Sequence, residues 1–497
     1  MVALQWCSVT VSVLGSLVIL IRISIFVLLA KRRAIERHTK GPPGDESTMA
    51  LHWIIIVATA GSPAMLERCL KSILAASSNL TIQIVVVSDQ PAVPDAAADL
   101  AVVRNLRPEE QLRVAFLPAA LLKGRRSGKA HALNLALALQ GHTALGQPSN
   151  GLTEWPLPSD SIEEADVLLC VDVDEQLATD GLERLDSARR LRSQPLAIQA
   201  AKHDAPVNAS PFGMAFAASY DSWFWWEAGT STVGRPTTSS YYGSMAAIWL
   251  RHSQSEPPSP IPQFRAEFAV EDFPSYVLDF PAGSVELLDA SIASGAAPID
   301  YWSHVALWRR WTAGNLPLGP AYVAKAWRAR REGQSVLSAL HHATTWYVIP
   351  LAALVPAALA LTDPTSRTGL VAYWIGCTAI GAEWLRQLVP CPQSGLWRRL
   401  IRLPCESLLW PAFTEAALAL LGPVRSRRLA LAATPRSVSR VSPPVVGLLV
   451  CQTLVVLAGV ARCLHQPSTV PLAIVFMPTL VGAGALLADL CWRRLRA

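Results

Sequence analysis

Long apolar runs flanked by basic residues limit this chain more than any other feature. Val9 to Ala30 is almost wholly apolar and is followed at once by Lys31, Arg32, Arg33, Arg37 and Lys40. The run is long enough to cross a hydrocarbon core of about 30 Å. No basic residue precedes it and no small-residue cleavage site follows, so it reads as a span rather than a removable leader. Arg22 inside it is costly in lipid and is expected to face protein or to snorkel. Apolar runs return at 343–361, 369–389, 404–422, 444–464 and 470–491. Arginines at 386, 398, 399 and 402 and at 425, 427, 428, 436 and 440 make both flanks of 404–422 basic, and that run also holds Glu406 and Glu415. It reads as an interfacial or re-entrant helix. Five spans remain, with the N-terminus outside and the basic loops, the region between the first two spans and the C-terminal arginines inside; six is the rival count, and it would put five arginines outside.

Composition agrees. Hydrophobic residues make up 51% and charged residues 16% of 497, against about 25% charged in an ordinary soluble domain. Mean hydropathy is +0.31. This excludes a disordered chain and argues against a purely soluble one. The net charge of +6 reads as membrane-flanking charge, with no nucleic-acid partner expected. Nine scattered cysteines without a CxxC pair argue against a structural zinc site or a disulfide scaffold and fit a reducing compartment.

Between the first and second runs the pattern changes to α/β. Trp53–Ala58 (WIIIVA) is a run of buried-strand type; Met65, Leu66, Cys69, Leu70, Ile73 and Leu74 then recur at helical spacing. Ile82–Val87 is a second strand ending in Ser88 and Asp89. This βαβ opening predicts a parallel sheet with a ligand crevice at the strand C-termini. No GxGxxG follows the first strand, which disfavours a dinucleotide fold. Gly128–Leu139 (GKAHALNLALAL) predicts a helix with Lys129 at its start. Asp166–Val173 predicts a third buried strand, which puts Asp172 and Asp174 on one side of its end. Paired carboxylates there can hold a hard divalent cation; a solvated strand end or helix cap is the plain reading. YYGSMAAIW (241–249), AVEDF (269–273) and WRRWTAG (308–314) follow, then a basic, aromatic helix-like segment to Arg331. Glu271 and Asp272 taken alone read as an ordinary helix start, and His131 and His304 as structural. Trp223, Trp225 and Trp226 suit sugar stacking or a membrane surface equally. Three units result: residues 1–40, a spanning helix with its basic flank; 50–331, a soluble domain with an interfacial segment; and 340–497, spanning and interfacial helices.

In this order, IIIVAT, Asp89, KAHALN, VDVD, YGSMAAIW, VED and WRRWTAG resemble the membrane-embedded family-2 glycosyltransferases, the group of cellulose, chitin and hyaluronan synthases. Thr434, Pro435 and Arg436 are similar to a TPK element of some of these synthases. The resemblance implies a GT-A (Rossmann-like) catalytic domain on the cytosolic side of the plasma membrane, flanked by transmembrane helices. It also implies a nucleoside-diphosphate sugar donor, most often UDP-linked, a Mg²⁺ or Mn²⁺ ion, and inversion at the anomeric carbon. Asp89 would contact the nucleoside, Lys129 would lie near the nucleotide, and Asp172 and Asp174 would hold the metal–diphosphate. Asp272 would be the general base, Arg310 would close over the diphosphate, and Gly243, Ser244 and Trp311 would meet the saccharide or lipid acceptor. The chain departs from the pattern at Leu307, where glutamine is expected, at Val270 in place of the Thr of TED, and at Arg251, left alone where a basic pair is expected. Leu307 bears on the acceptor and on processive synthesis more than on the donor. A non-processive transferase acting on a lipid, or a transport protein whose α/β domain only binds nucleotide, is the alternative.

Overall fold

The computed structural model describes residues 2–39, 52–59, 63–76, 80–88, 93–106, 112–116, 129–130, 134, 165–190, 196–205, 210–228, 243–250, 264, 270, 272–281, 284–332, 334–391, 394–421, 443–465 and 467–496. Asp89, His131, Glu271, the loop at 425–440 and most of Gly128–Leu139 lie outside them.

After the long helix α1 (Val2–Thr39) the chain forms β1 (His52–Thr59), α2 (Pro63–Ala76), β2 (Thr81–Ser88), α3 (Val93–Leu106) and β3 (Leu112–Phe116). Then come β4 (Val167–Asp172), β5 (Gln176–Leu177), α4 (Gly181–Arg190), β6 (Ala197–Ala205), α5 (Pro211–Ser222), β7 (Ala246–Trp249), α6 (Asp272–Leu278) and β8 (Val285–Ala296). The strands make one sheet in the order β3-β2-β1-β4-β7-β6-β8-β5. The first four are mutually parallel, as the βαβ opening requires, and β7 enters antiparallel between β4 and β6.

The apolar runs are continuous because both faces of the sheet are covered. Trp53, Ile55, Val57, Leu169 and Val171 pack on Leu66, Cys69, Leu70 and Ile73 of α2. Ile54, Ile56, Leu168 and Cys170 pack on the opposite side, with Phe273, Tyr276 and Val277 of α6. By that alternation Asp172, next after Leu168 and Cys170, is directed to the α6 side, where Asp272 begins its helix.

Two expectations change here. A further strand, Leu112–Phe116, stands between the second and the one carrying Asp172, which is therefore the fourth in chain order. That strand also ends at Asp172; Val173 and Asp174 lie in a turn closed by Glu175 N–H donating to the Asp172 carbonyl at 2.9 Å. The turn, not the strand pleat, sets the relation of the two aspartates.

Beyond β8 lie α7 (Tyr301–Asn315), α8 (Gly319–Arg328), α9 (Val336–Ala360), α10 (Arg367–Gln387), α11 (Leu396–Leu400), α12 (Arg402–Glu406), α13 (Trp410–Leu421), α14 (Pro443–Leu464) and α15 (Met477–Arg496). Helix α1 joins α9, α10 and α14 in a second core built on Ile19, Val355, Leu359, Tyr373, Val456 and Phe476. Its outer face leaves Leu4, Trp6, Leu14, Ile21 and Leu28 exposed, an apolar surface of the kind lipid covers. Among the described residues, three helices are long and apolar enough to cross a membrane: Ala3–Lys31, Val446–Leu464 and Ser468–Cys491. A fourth is the pair Val336–Val348 and Pro350–Ala360 if counted as one span; the pair is bent by 51°. Pro350 at the bend lacks the N–H that would continue the ladder. The expected span at 369–389 is α10, which is not among them; Tyr373, Trp374, Glu383 and Trp384 dilute its apolar character. The 404–422 run is broken between α12 and α13, neither of them long enough to cross.

Arg22 does face protein. It is 2% exposed, lies 3.6 Å from Glu383 and donates to Thr345 Oγ1 at 3.2 Å. Glu383 also accepts from Arg386 at 2.6 and 2.9 Å. Gln387 bridges Glu383 to Glu406, which accepts from Arg402 and from Ser219 of α5. This buried polar chain ties the bundle to the sheet domain, beside an apolar junction in which Phe212 and Trp308 pack on Leu408 and Phe413.

Candidate active site

Four segments far apart in sequence meet at the C-terminal end of β4. Lys129 Nζ lies 2.9 Å from Asp172 Oδ1. Gly243 has φ +87°, a conformation that favours glycine. A side chain there would begin 3.1 Å from Asp272 Oδ2 and 3.4 Å from Lys129 Nζ. The glycine of YGSMAAIW thus lets the base candidate and the lysine both come up against this turn. Asp272 opens α6, and its Oδ1 accepts the Phe273 N–H at 2.7 Å. It is a helix start, as the plain reading held, and at the same time part of the cluster.

The WRRWTAG segment is the middle of α7. A Cβ on Gly314 would come within 2.2 Å of Val270 Cγ2, so this glycine admits the VED segment against the helix. Burial works to raise the Asp172 carboxyl, but Lys129, Lys202 and Arg310 outweigh it and hold it down to about 2. Arg310 therefore acts on the cluster through its charge, and among the described residues its buried Nε has no hydrogen-bond partner. Trp311, one position on and about 100° around the helix, packs on Phe216 at 5.8 Å, Trp308 at 5.7 Å and Tyr220 at 6.3 Å. The structure thus brings together Lys129, Asp172, Gly243, Asp272 and Arg310, and gives Trp311 to an aromatic layer beside them. Leu307 belongs to that layer, with Phe216 and Ala217. His304 is structural: it is fully buried, accepts from Trp308 Nε1 at 2.8 Å, and burial pushes its pKa down to about 3. Trp223 and Trp226 pack at the domain junction, Trp223 on Tyr220 and Trp226 on Phe26 of α1.

Two residues without a role in the sequence reading complete the site. Glu175 is fully buried under the turn, its Oε2 accepting the Asp172 N–H at 2.8 Å. Its Oε1 accepts from Ser244 Oγ at 2.5 Å and meets Lys202 Nζ at 2.9 Å. Ser244, expected at the acceptor, is thus 7% exposed and engaged below the site. Burial pushes Glu175 up to about 7, with Lys202 opposing and Asp172 adding to the rise. Lys202 also lies 5.0 Å from the Tyr220 ring centre. Its strand breaks register at Ala200/Ala201 and Ala201/Lys202, the kind of irregularity that re-aims side chains beside a site. A single lysine in AIQAAKHDA carries no motif signal; Glu175 follows the VDVD pair directly and was visible only by adjacency.

The donor set fits a divalent ion only in part-filled form. Among the described residues no group of three or more His, Cys, Asp or Glu could hold a metal by itself. Asp172 and Asp174 offer hard carboxylate oxygens, which suits Mg²⁺ or Mn²⁺ shared with phosphate oxygens. The unpartnered Arg310 Nε and the three basic side chains acting on Asp172 suit an anionic ligand.

No family model and no curated protein sequence matches the chain. Solved structures with a similar course include a mannosyltransferase from Pyrobaculum calidifontis in complex with GDP-Man and Mn²⁺ (17% identity, TM-score 0.44, 83% of this chain and 99% of that one). TarS 1–349 of S. aureus is similar at 14% identity and TM-score 0.32, over 73% and 92% of the two chains. Glucosyl-3-phosphoglycerate synthase from Mycobacterium tuberculosis, in complex with Mn²⁺, UDP and glucosyl-3-phosphoglycerate, is similar at 12% identity and TM-score 0.28, over 49% and 72%. The functional reading rests on the residues of the site.

Proposed function

We propose that this chain is a membrane-anchored inverting glycosyltransferase of GT-A type. It moves a sugar from a nucleoside-diphosphate donor, UDP-linked as the resemblance implies, to a saccharide or lipid acceptor at the cytosolic face of the plasma membrane. The observation that carries the reading is the meeting of Lys129, Asp172, Gly243 and Asp272 at one strand end. Glycosyl transfer from a diphosphate needs a stabilised leaving group, a base for the acceptor hydroxyl and exclusion of water. Lys129 and Arg310 supply positive charge for the leaving diphosphate, and Asp272 is the carboxylate that takes the acceptor proton. Asp172 and Asp174 would hold Mg²⁺ or Mn²⁺, which when bound neutralises charge gathering on the diphosphate. Asp89, outside the described residues, keeps its expected nucleoside contact as a proposal. Gly243 and Trp311 are proposed at the acceptor end, where the apolar layer of Leu307, Phe216 and Trp311 favours a short or lipid-linked product over a long polymer.

Purified protein in lipid, given labelled nucleotide sugars one at a time with Mg²⁺ or Mn²⁺, tests the reading. One donor is expected to release its nucleoside diphosphate and label a product whose size separates polymer from glycolipid. Nucleotide binding without turnover of any donor would favour the regulatory-domain alternative.

A further inference from the structure

Glu175 occupies a place that a turn-closing residue does not need. Its one carboxylate joins three elements: the Asp172–Asp174 turn through the Asp172 N–H, β6 through Lys202, and the 243–245 turn through Ser244. The 243–245 turn is itself held to the sheet, Met245 N–H donating to Cys170 O and Met245 O accepting from Ala200 N–H, both at 2.9 Å. Gln199 Nε2 donates to Ser244 O at 2.8 Å. On the other side of the same turn, Gly243 fits against Asp272 Oδ2 and Lys129 Nζ. One chain of contacts therefore runs from the carboxylate at the diphosphate end, Asp172, through Glu175 and the 243–245 turn, to the carboxylate at the acceptor end, Asp272.

We propose that Glu175, with Lys202 as its counter-ion, is a positioning residue that fixes the spacing between Asp172 and Asp272 for transfer. The proposal rests on the glycosyl-transfer reading above. Its physical basis is that a fully buried carboxylate held by three donors has one low-energy placement. Lys202 is 14% exposed and stacked against Tyr220, so it supplies the opposite charge from a wall that is itself packed. Misplacing reacting groups by about 1 Å costs on the order of a hundredfold in rate without preventing binding.

The test separates positioning from mere stability. Glu175→Gln keeps the shape but points an amide N–H at a donor and, where Glu175 is ionised, removes one of the anions facing Lys202. The double variant Glu175→Gln/Lys202→Met also removes the ammonium that faced it. In the membrane-reconstituted full chain, the double variant is expected to recover the thermal midpoint lost by Glu175→Gln. Its turnover is expected to stay down by about a hundredfold, with the donor KM within about threefold of wild type and a larger share of donor hydrolysed than transferred. If the double variant recovers turnover together with its midpoint, Glu175 is only structural and the proposal is overturned. If both variants fail to fold, Ser244→Ala, which removes one of the three donors, is expected to raise the hydrolysed share at unchanged donor KM; an unchanged share overturns the proposal. The wild-type chain is assayed first, so an inactive wild type counts against the glycosyl-transfer reading and not against the positioning role of Glu175.

Discussion

At the end of β4, Asp172 meets Lys129 with about a third of its side chain still open to solvent. In the helical bundle, Glu383 meets Arg22 and Arg386 with all three side chains 3% exposed or less. Both regions join charges from distant parts of the chain, Lys129 to Asp172 and Arg22 to Glu383. In the first, Lys129, Lys202 and Arg310 act on Asp172, and among the described residues Arg310 Nε has no hydrogen-bond partner, an arrangement that suits an anionic ligand. In the second, the carboxylate of Glu383 is shared among Arg22, Arg386 and Gln387, and the pairing holds helices together. A charged cluster marks chemistry where it is incomplete and reachable, and marks assembly where it is closed.

The largest expected effect breaks the assembly side. Glu383→Ala removes the carboxylate that two buried guanidiniums share and is expected to cost about 3–5 kcal/mol of stability, read as a lowered thermal midpoint in lipid, with turnover falling only as the folded fraction falls. Selective loss of turnover at an unchanged midpoint would place Glu383 with the chemistry and erase the contrast. Asp272→Asn tests the other side. Turnover is expected to drop by at least about a hundredfold, the scale of general-base loss, at near-normal midpoint and donor affinity. An equal fall in donor affinity would make Asp272 a binding residue.

A smaller effect sharpens the comparison through pH. Burial raises Glu175 from its ordinary 4.5 to about 7, with Lys202 and Lys129 opposing and Asp172 and Asp174 adding to the rise. The folded state holds this proton more tightly than the unfolded chain. The contribution is therefore fully present below about 4.5 and lost as pH rises through about 7. The midpoint should fall across that window in the wild type, and the fall should flatten in Glu175→Gln. An unchanged slope in the variant would assign the dependence elsewhere.

What the sequence made legible follows from where the information lies. β1, β2 and β4 were readable because strands buried on both faces are continuous apolar runs, and α2 because its apolar residues repeat at helical spacing. β3 (LRVAF) was missed because five residues with an arginine among them make no run, and β8 (VELLDASIASGA) because its small and polar residues carry no clear period. Asp172, Asp272 and Arg310 were found by motif order. Lys202 and Glu175 were not, since their pairing joins the turn after β4 to a β6 residue 27 positions on, with no local spacing to mark it. The same limit explains α10: Arg386 counted as an ordinary flank charge until the fold set it, with Arg22, on Glu383.

The most direct measurement is release of nucleoside diphosphate from the accepted sugar nucleotide, with and without EDTA, by wild type and by Asp172→Asn at matched thermal midpoint. The strand-end site predicts metal-dependent release by wild type and a loss of about 10²–10³-fold in the variant. Release that survives both EDTA and Asp172→Asn would contradict it.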